Sequence, residues 1–149
     1  MSARIYDLSI MEGATAPGNV KITLSFGNQG MLVTGTQKAS QFFTLAFLTE
    51  RGTVLGDASF GTDFVTQARA GVIRSDPDVP LYFNLAARDI LDYQAGNISL
   101  DTPDDEIIES LILMSYILRV QQLQIQVRLT TIAGDAREVI LPIDAVPTG

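Results

Sequence analysis

Residues 123–143 read LQIQVRLTTIAGDAREVILPI, and this stretch carries the strongest structural signal in the chain. Apolar residues at every second position from Leu123 to Leu129 alternate with polar ones, which is the period of a half-buried strand. A turn follows at 133–135, and a second strand runs from Arg137 until Pro142, where the missing N–H weakens pairing. The chain is therefore predicted to end in a β-hairpin.

Upstream of the hairpin, a helix is predicted from Pro103 to Leu118. Thr102 is its expected N-cap, Pro103 occupies the first helical position, and acids at 104–106 complement the positive end of the helix dipole. Because 107–118 is apolar on nearly all sides, we expect this helix to be central in the fold.

The first third of the chain predicts strands and then a helix. Val20 to Phe26 alternates as a half-buried strand, 27–30 is a turn, and 31–33 returns as a second strand. Thr36 begins a helix whose apolar face includes Phe43 and Phe47. Further helix signals are a stop at Gly52, a short helix at 63–70 ended by Gly71, and a helix at 81–94 closed by Gly96.

Together these elements predict an α+β fold, with a small mixed sheet whose C-terminal β-hairpin packs on two to three helices. Residues 1–19 contain Gly13, Pro17 and Gly18 and are expected to form an irregular or partner-dependent N-terminal arm. Residues 20–149 are expected to form one domain.

Composition argues against several function classes. Seventeen acidic residues against ten basic ones give a formal charge of −7, with no basic run to bind nucleic acid. The absence of cysteine and histidine removes disulfides, thiolate nucleophiles, the usual zinc ligands and histidine acid–base catalysis. No signal peptide and no apolar run long enough for a membrane span are present. We therefore expect no cofactor, no metal and no catalytic residue in a protein made in the cytoplasm.

The acidic clusters are interpreted as structural. Asp104-Asp105-Glu106 lies where a helix dipole favours acids. Asp76-Pro77-Asp78 lacks the glycine and the closing glutamate of a calcium loop and is read as a polar turn.

An interaction surface is predicted at the C-terminal hairpin. A two-stranded hairpin leaves an open edge, and strand addition from a partner would satisfy the free backbone groups there. A strand at Val20 to Phe26 could instead cover that edge within the same chain, and the sequence leaves both alternatives open. The candidate interaction residues are Gln124, Gln126, Arg128, Thr130, Arg137, Val139 and Leu141.

Short motifs resemble a known family. Leu32-Val33-Thr34-Gly35 enters the first predicted helix, and Thr49-Glu50-Arg51-Gly52 leaves it. Phe60-Gly61-Thr62 and, near the end, Leu141-Pro142-Ile143 then follow. In this order the motifs, spread over roughly residues 30 to 143, resemble the lysozyme-named baseplate wedge family of contractile phage tails, whose members initiate the sheath.

The resemblance implies a structural virion protein at the tail baseplate, assembled in the host cytoplasm. Its implied partners are the tail sheath protein, baseplate wedge proteins, tail tube or hub proteins and copies around a ring. Phe60, Gly61 and Phe64 would shape the turn after the first helix. A head–tail connector or other ring subunit is the first alternative. A small hydrolase is the second, although the sequence advertises no polar pocket for it.

Overall fold

The computed structural model describes the backbone of strands at 7–8, 11–16, 19–24 and 32–33 and every residue from 34 to 144. Three helices occupy the first half of the fully described part. They are α1 (Gly35–Leu48), α2 (Phe64–Arg69) and α3 (Asp78–Asn97).

Seven strands form two sheets in the described part of the chain. The strands are β1 (Asp7–Leu8), β2 (Met11–Ala16), β3 (Asn19–Leu24), β4 (Leu32–Val33), β5 (Ile108–Arg119), β6 (Gln122–Thr131) and β7 (Ala136–Asp144). The short strands β1 and β4 pair with each other, and the other five form one sheet in the order β2-β3-β7-β6-β5. Only β3 and β7 run parallel in that sheet. The architecture is α+β, with a mixed sheet and a C-terminal hairpin, and this confirms the predicted fold class.

The hydrophobic core lies between the three helices and one face of the sheet. Four phenylalanine rings, at positions 43, 47, 64 and 83, are fully buried on the helical side. The sheet contributes the inward-facing residues Leu123, Ile125, Val127 and Leu129 of β6 together with Val139, Leu141 and Ile143 of β7. The alternation in 123–129 thus buries every apolar residue of that stretch and turns the polar ones outward.

Several local predictions are confirmed. The hairpin turn is present, with Gly134 at a φ of 91°, in the left-handed region that glycine adopts at little cost. The first predicted helix is present as α1 (Gly35–Leu48), but its N-cap is Thr34 and it ends at Leu48, so the predicted N-cap Thr36 and the predicted stop at Gly52 are wrong. Helix α2 lies within the predicted 63–70.

The central helix predicted at 103–118 is wrong. The acids at 104–106 form a single 3-10 turn, and the chain then extends as β5. The alternation is hidden because the pairing register of β5 shifts between Leu113 and Ser115, which moves the inward positions from 111 and 113 to 116 and 118. Apolar residues on the opposite, exposed face, among them Ile112 and Ile117, further obscure the alternation of apolar and polar residues that is typical of a strand.

Glu106 contacts a different helix from the one predicted. Its Oε1 accepts a hydrogen bond from the backbone N–H of Gly35 at 3.3 Å, and its Oε2 lies 3.3 Å from the ammonium group of Lys38. A carboxylate in this position complements the N-terminus of α1. The predicted role of these acids at the start of their own helix is therefore wrong, and Glu106 lies instead at the N-terminus of the first helix.

Other boundaries differ from the predictions. Helix α3 begins at Asp78, whose carboxylate accepts hydrogen bonds from the backbone N–H groups of Arg74 and Ser75, and it continues past Gly96. Strand β7 continues through Pro142 to Asp144, and the ring of Pro142 is exposed to solvent. The turn predicted at 27–30 lies outside the described residues.

The predicted irregular arm contains β1 and β2, so the expectation of irregular structure is wrong for those two segments. Strand β2 pairs in antiparallel register with β3, and this hairpin crosses the predicted arm–domain boundary at residues 19 and 20.

Candidate assembly interface

The strand predicted to offer a free edge is instead an interior strand of the sheet. Residues Gln122 to Thr131 of β6 pair with β5 on one side and with β7 on the other. Both sets of main-chain donors and acceptors are therefore engaged within the chain. The prediction that Gln124 to Thr131 accepts a partner strand is wrong for this reason.

The second predicted edge, Arg137 to Leu141, is also covered. Strand β7 pairs with β6 along its length, and Val139 and Ile140 pair with Val20 and Lys21 of β3. Of the two alternatives that the sequence left open, the structure has the one in which the strand beginning near Val20 covers the hairpin. Val139 and Leu141 are buried in the core, so these side chains face away from any partner.

The outward side chains of β6 form a polar network with their neighbours. The Gln126 side chain accepts a hydrogen bond from the Ser115 hydroxyl at 3.1 Å and donates one to Glu138 at 2.8 Å. Arg128 donates to the other oxygen of Glu138 at 3.0 Å. Gln124 and Thr130 are half-buried on the same face. A contact role for this polar face stays a prediction.

Phe60, Gly61 and Phe64 have structural positions. Phe64 is fully buried, with its ring centroid 4.7 Å from that of Phe47. Gly61 has a φ of 107°, and a Cβ there would lie 2.6 Å from the carbonyl oxygen of Thr49. Because the two segments approach closely, the backbone after α1 forms hydrogen bonds with the backbone before α2. One of them is donated by the Thr62 N–H to the Thr49 carbonyl oxygen at 2.9 Å.

The Phe60 ring is one wall of a small aromatic cluster on α1 and α3. Its centroid lies 6.4 Å from that of Phe42 and 5.3 Å from that of Tyr93. The Tyr93 hydroxyl donates a 2.6 Å hydrogen bond to Asp57, which lowers the pKa of Asp57 and raises that of Tyr93. This cluster fixes the loop between α1 and α2 against α3.

One of the two edge strands of the five-stranded sheet is β5, in the segment that the sequence assigned to a helix. β5 pairs with β6 on one side, and no strand among the described residues pairs with its other side. In an antiparallel strand, alternate residues direct their N–H and C=O groups away from the paired neighbour. The outer side of β5 therefore presents a row of main-chain donors and acceptors over much of its twelve residues.

The side chains of β5 are unusually apolar for an exposed edge. Ile112, Met114 and Ile117 are 51%, 44% and 48% exposed. Charged residues occur only near the two ends of the strand, as Glu109 and Arg119. Sheet edges are commonly protected by charge, proline or a covering element, and the interior of β5 carries neither charge nor proline.

One end of the edge is closed by a side chain. The buried amide of Gln94 on α3 accepts a hydrogen bond from the Ile108 N–H at 2.8 Å and donates one to the Ile108 carbonyl at 2.9 Å. Gln94 thus takes the place of a strand partner at the first residue of β5. Pairing by another strand must begin beyond Ile108.

A groove runs beside the open part of the edge. It is lined by Pro80 and Asn84 of α3 and by residues 111–116 of β5. The groove separates the first turns of the helix from the middle of the strand. Side chains of an added strand that point toward α3 have space there.

No group of three or more acidic, histidine or cysteine side chains is placed to hold a metal ion within the described part of the chain. Among the helices described, none combines the length and apolar character needed to span a bilayer. Comparison with protein-family models, with curated proteins and with solved structures finds no match for this chain.

Proposed function

We propose that this chain is a non-enzymatic structural subunit of a contractile phage-tail baseplate, which joins the wedges to the tail sheath and initiates the sheath by β-strand addition. The observation that carries the proposal is the apolar, uncovered edge of β5. The order of short motifs that resembles the baseplate wedge family supports the place in the tail.

The strand-accepting site is β5 in this proposal, and the interior strand β6 is no longer a candidate. An added strand forms main-chain hydrogen bonds with the outer side of β5, which supplies affinity without a requirement for a particular sequence. Its alternate side chains contact Ile112 and Ile117 on one face of the sheet and enter the groove beside Pro80 on the other. The tail sheath protein is the proposed donor, with wedge and tube or hub proteins as further neighbours.

A head–tail connector or other ring subunit is the second candidate, and one observation favours it. Strands β2 and β5 are the two opposite edges of the same five-stranded sheet. Copies that join β5 of one to β2 of the next would repeat head to tail, and such contacts close into a ring when the rotation allows. Images of the assembled particle distinguish a ring at the head from copies beside the sheath.

The experiment is reconstitution of sheath attachment with charged variants of the edge. Ile112→Lys and Ile117→Lys place a cation beside any added strand without removing a main-chain bond, and edge lysines are a known deterrent to pairing. We expect attachment to weaken by roughly tenfold or more for each variant, because cross-strand apolar contacts are lost.

Leu55→Lys is the matched control, because Leu55 is fully exposed in the loop between α1 and α2. Thermal unfolding of all three variants should match the parent chain, since each altered side chain is at least half exposed or close to it. Normal attachment by both folded edge variants would contradict the proposal.

A further inference from the structure

The pattern of exposed and half-buried residues along the edge strand β5 is symmetric about its middle. Residues 111–118 read LILMSYIL, and their burial is the same from either end. Leu111 and Leu118 are half-buried, Ile112 and Ile117 are exposed, Leu113 and Tyr116 are half-buried, and Met114 and Ser115 are exposed. The centre of this pattern falls between Met114 and Ser115.

The irregularity in β5 is what makes the pattern symmetric. In a regular strand successive residues face opposite sides, so positions related by a centre between two residues lie on opposite faces of the sheet. The register shift between Leu113 and Ser115 adds one residue at that centre. Ile112 and Ile117 consequently lie on the same face, and Leu113 and Tyr116 share the other.

We propose that two copies of this chain pair β5 with β5 in antiparallel orientation, around a two-fold axis between Met114 and Ser115. Ile112 of one copy then lies opposite Ile117 of the other, and Leu113 lies opposite Tyr116. The pairing joins two five-stranded sheets into one continuous sheet and satisfies the outward backbone groups of both edges. Each cross-strand pair in this register matches apolar with apolar on the same face.

Charges at the ends of the strand fit the same register. Glu109 and Arg119 are the acidic and the basic residue of β5, one near each end. With the axis at 114 and 115, Arg119 of one copy lies opposite Ser110 of the other. The register shift between Ile108 and Ser110 makes Glu109 the extra residue beside Ser110, which brings it near this Arg119. Opposite charges are therefore brought together twice, once at each end of the interface.

The surroundings of the edge leave the paired segment accessible. Gln94 occupies the backbone groups of Ile108, so the ladder between copies is confined to the residues beyond it. The groove between Pro80 and the middle of β5 provides space for the inward side chains of the second copy. This inference concerns the free chain and does not rest on the proposed place in the tail.

Analytical ultracentrifugation of the purified chain tests the association. We expect a monomer–dimer equilibrium at micromolar concentration, since the two-fold pairing joins the β5 edges of two copies. The double variant Ile112→Lys, Ile117→Lys sets lysines opposite each other twice and should raise the dissociation constant by roughly tenfold or more, whereas Leu55→Lys should not. A parent chain that sediments as a monomer at these concentrations overturns the proposal.

Cysteine cross-linking tests the register, because the chain contains no cysteine of its own. Ile112→Cys chains mixed with Ile117→Cys chains should form a disulfide between unlike chains under mild oxidation, since opposite residues have Cβ atoms about 5 Å apart. Each variant alone should not, because position 112 of one copy is five residues, or about 17 Å, from position 112 of the other. Equal cross-linking in the mixture and in the separate variants overturns the two-fold register, even if a dimer forms.

Discussion

Asp57 and Tyr93 show how single residues fix the loop that follows α1. The Tyr93 hydroxyl bonds to the Asp57 carboxylate, and the Ser59 hydroxyl adds a second donor at 2.8 Å. Both hydrogen bonds favour the charged carboxylate, with that from Tyr93 first, so the pKa of Asp57 lies below its ordinary value of 3.8. The same contact raises the pKa of Tyr93 above its ordinary value of 10.0.

The sign of the pH dependence follows from these directions. Asp57 contributes stability that is present above pH 3.8 and is lost as the pH falls through its lowered pKa. Tyr93 contributes stability that is present below pH 10.0 and is lost as the pH rises through its raised pKa. Tyr93→Phe should move the pKa of Asp57 upward, measured by NMR titration of its side-chain carboxyl carbon. An unchanged Asp57 titration in Tyr93→Phe would show that this hydrogen bond does not lower the pKa of Asp57.

Gly61 makes a second prediction at the scale of one residue. Gly61→Ala must place a Cβ against the Thr49 carbonyl in a backbone conformation that disfavours a side chain. We expect a loss of roughly 2–4 kcal/mol in the free energy of unfolding, from strain and displaced backbone bonds together. Gly56→Ala is the control, because its φ is also positive but no atom lies within 4 Å of the added Cβ. It should cost about 1 kcal/mol. If urea unfolding gave equal losses of unfolding free energy for Gly61→Ala and Gly56→Ala, the positive φ alone would explain both, and the contact between the added Cβ and the Thr49 carbonyl oxygen would contribute nothing.

At the scale of secondary-structure elements, α3 and β5 are joined by the side chain of Gln94. Gln94→Ala leaves the N–H and C=O groups of Ile108 without this partner in a buried position. We expect a loss of roughly 1–3 kcal/mol in unfolding free energy, together with faster hydrogen exchange at the Ile108 amide. Asn97→Ala is the matched control, since that amide bonds only within its own helix among the described contacts and is exposed. Unchanged exchange at Ile108 in Gln94→Ala would contradict the closing role of Gln94.

Elements with an unbroken periodicity could be predicted from the sequence, and the one with a broken periodicity could not. Strand β6 alternates without interruption, and the apolar face of α1 follows the helical period, although the N-cap of α1 is Thr34 and not the predicted Thr36. Strand β5 fails on two physical grounds. Its bulge changes which residues face inward, and its outer face keeps apolar residues that a solvated strand would replace with polar ones.

The candidate site was misplaced for the same reason. With 107–118 assigned to a helix, the hairpin lacked one neighbour and β6 looked like an edge. The long-range pairing of β3 with β7, more than a hundred residues apart in the chain, cannot be read from local patterns. The edge predicted at β6 is wrong, and the strand at that end of the sheet is β5.

At the scale of the whole molecule, one sheet organises both packing and assembly. Its inner face packs against the helices, while its outer face carries the polar network around Glu138. The packing of the inner face against the helices stabilises the fold, whereas the β5 edge carries the proposed assembly contact. Changes at exposed edge positions should therefore alter association with little effect on folding. Gln126→Pro should unfold the chain, because residue 126 lies in an interior strand of the sheet.

Hydrogen exchange, measured residue by residue on the dilute chain, tests the edge assignment most directly. Below the dimer dissociation constant, amides of β6 between Leu123 and Leu129 should be among the slowest to exchange, since the strand is paired on both sides. Alternate amides of β5 beyond Ile108 should exchange much faster, and they should slow as the concentration is raised. Uniform protection of β5 at the level of β6 in the dilute monomer would contradict the account.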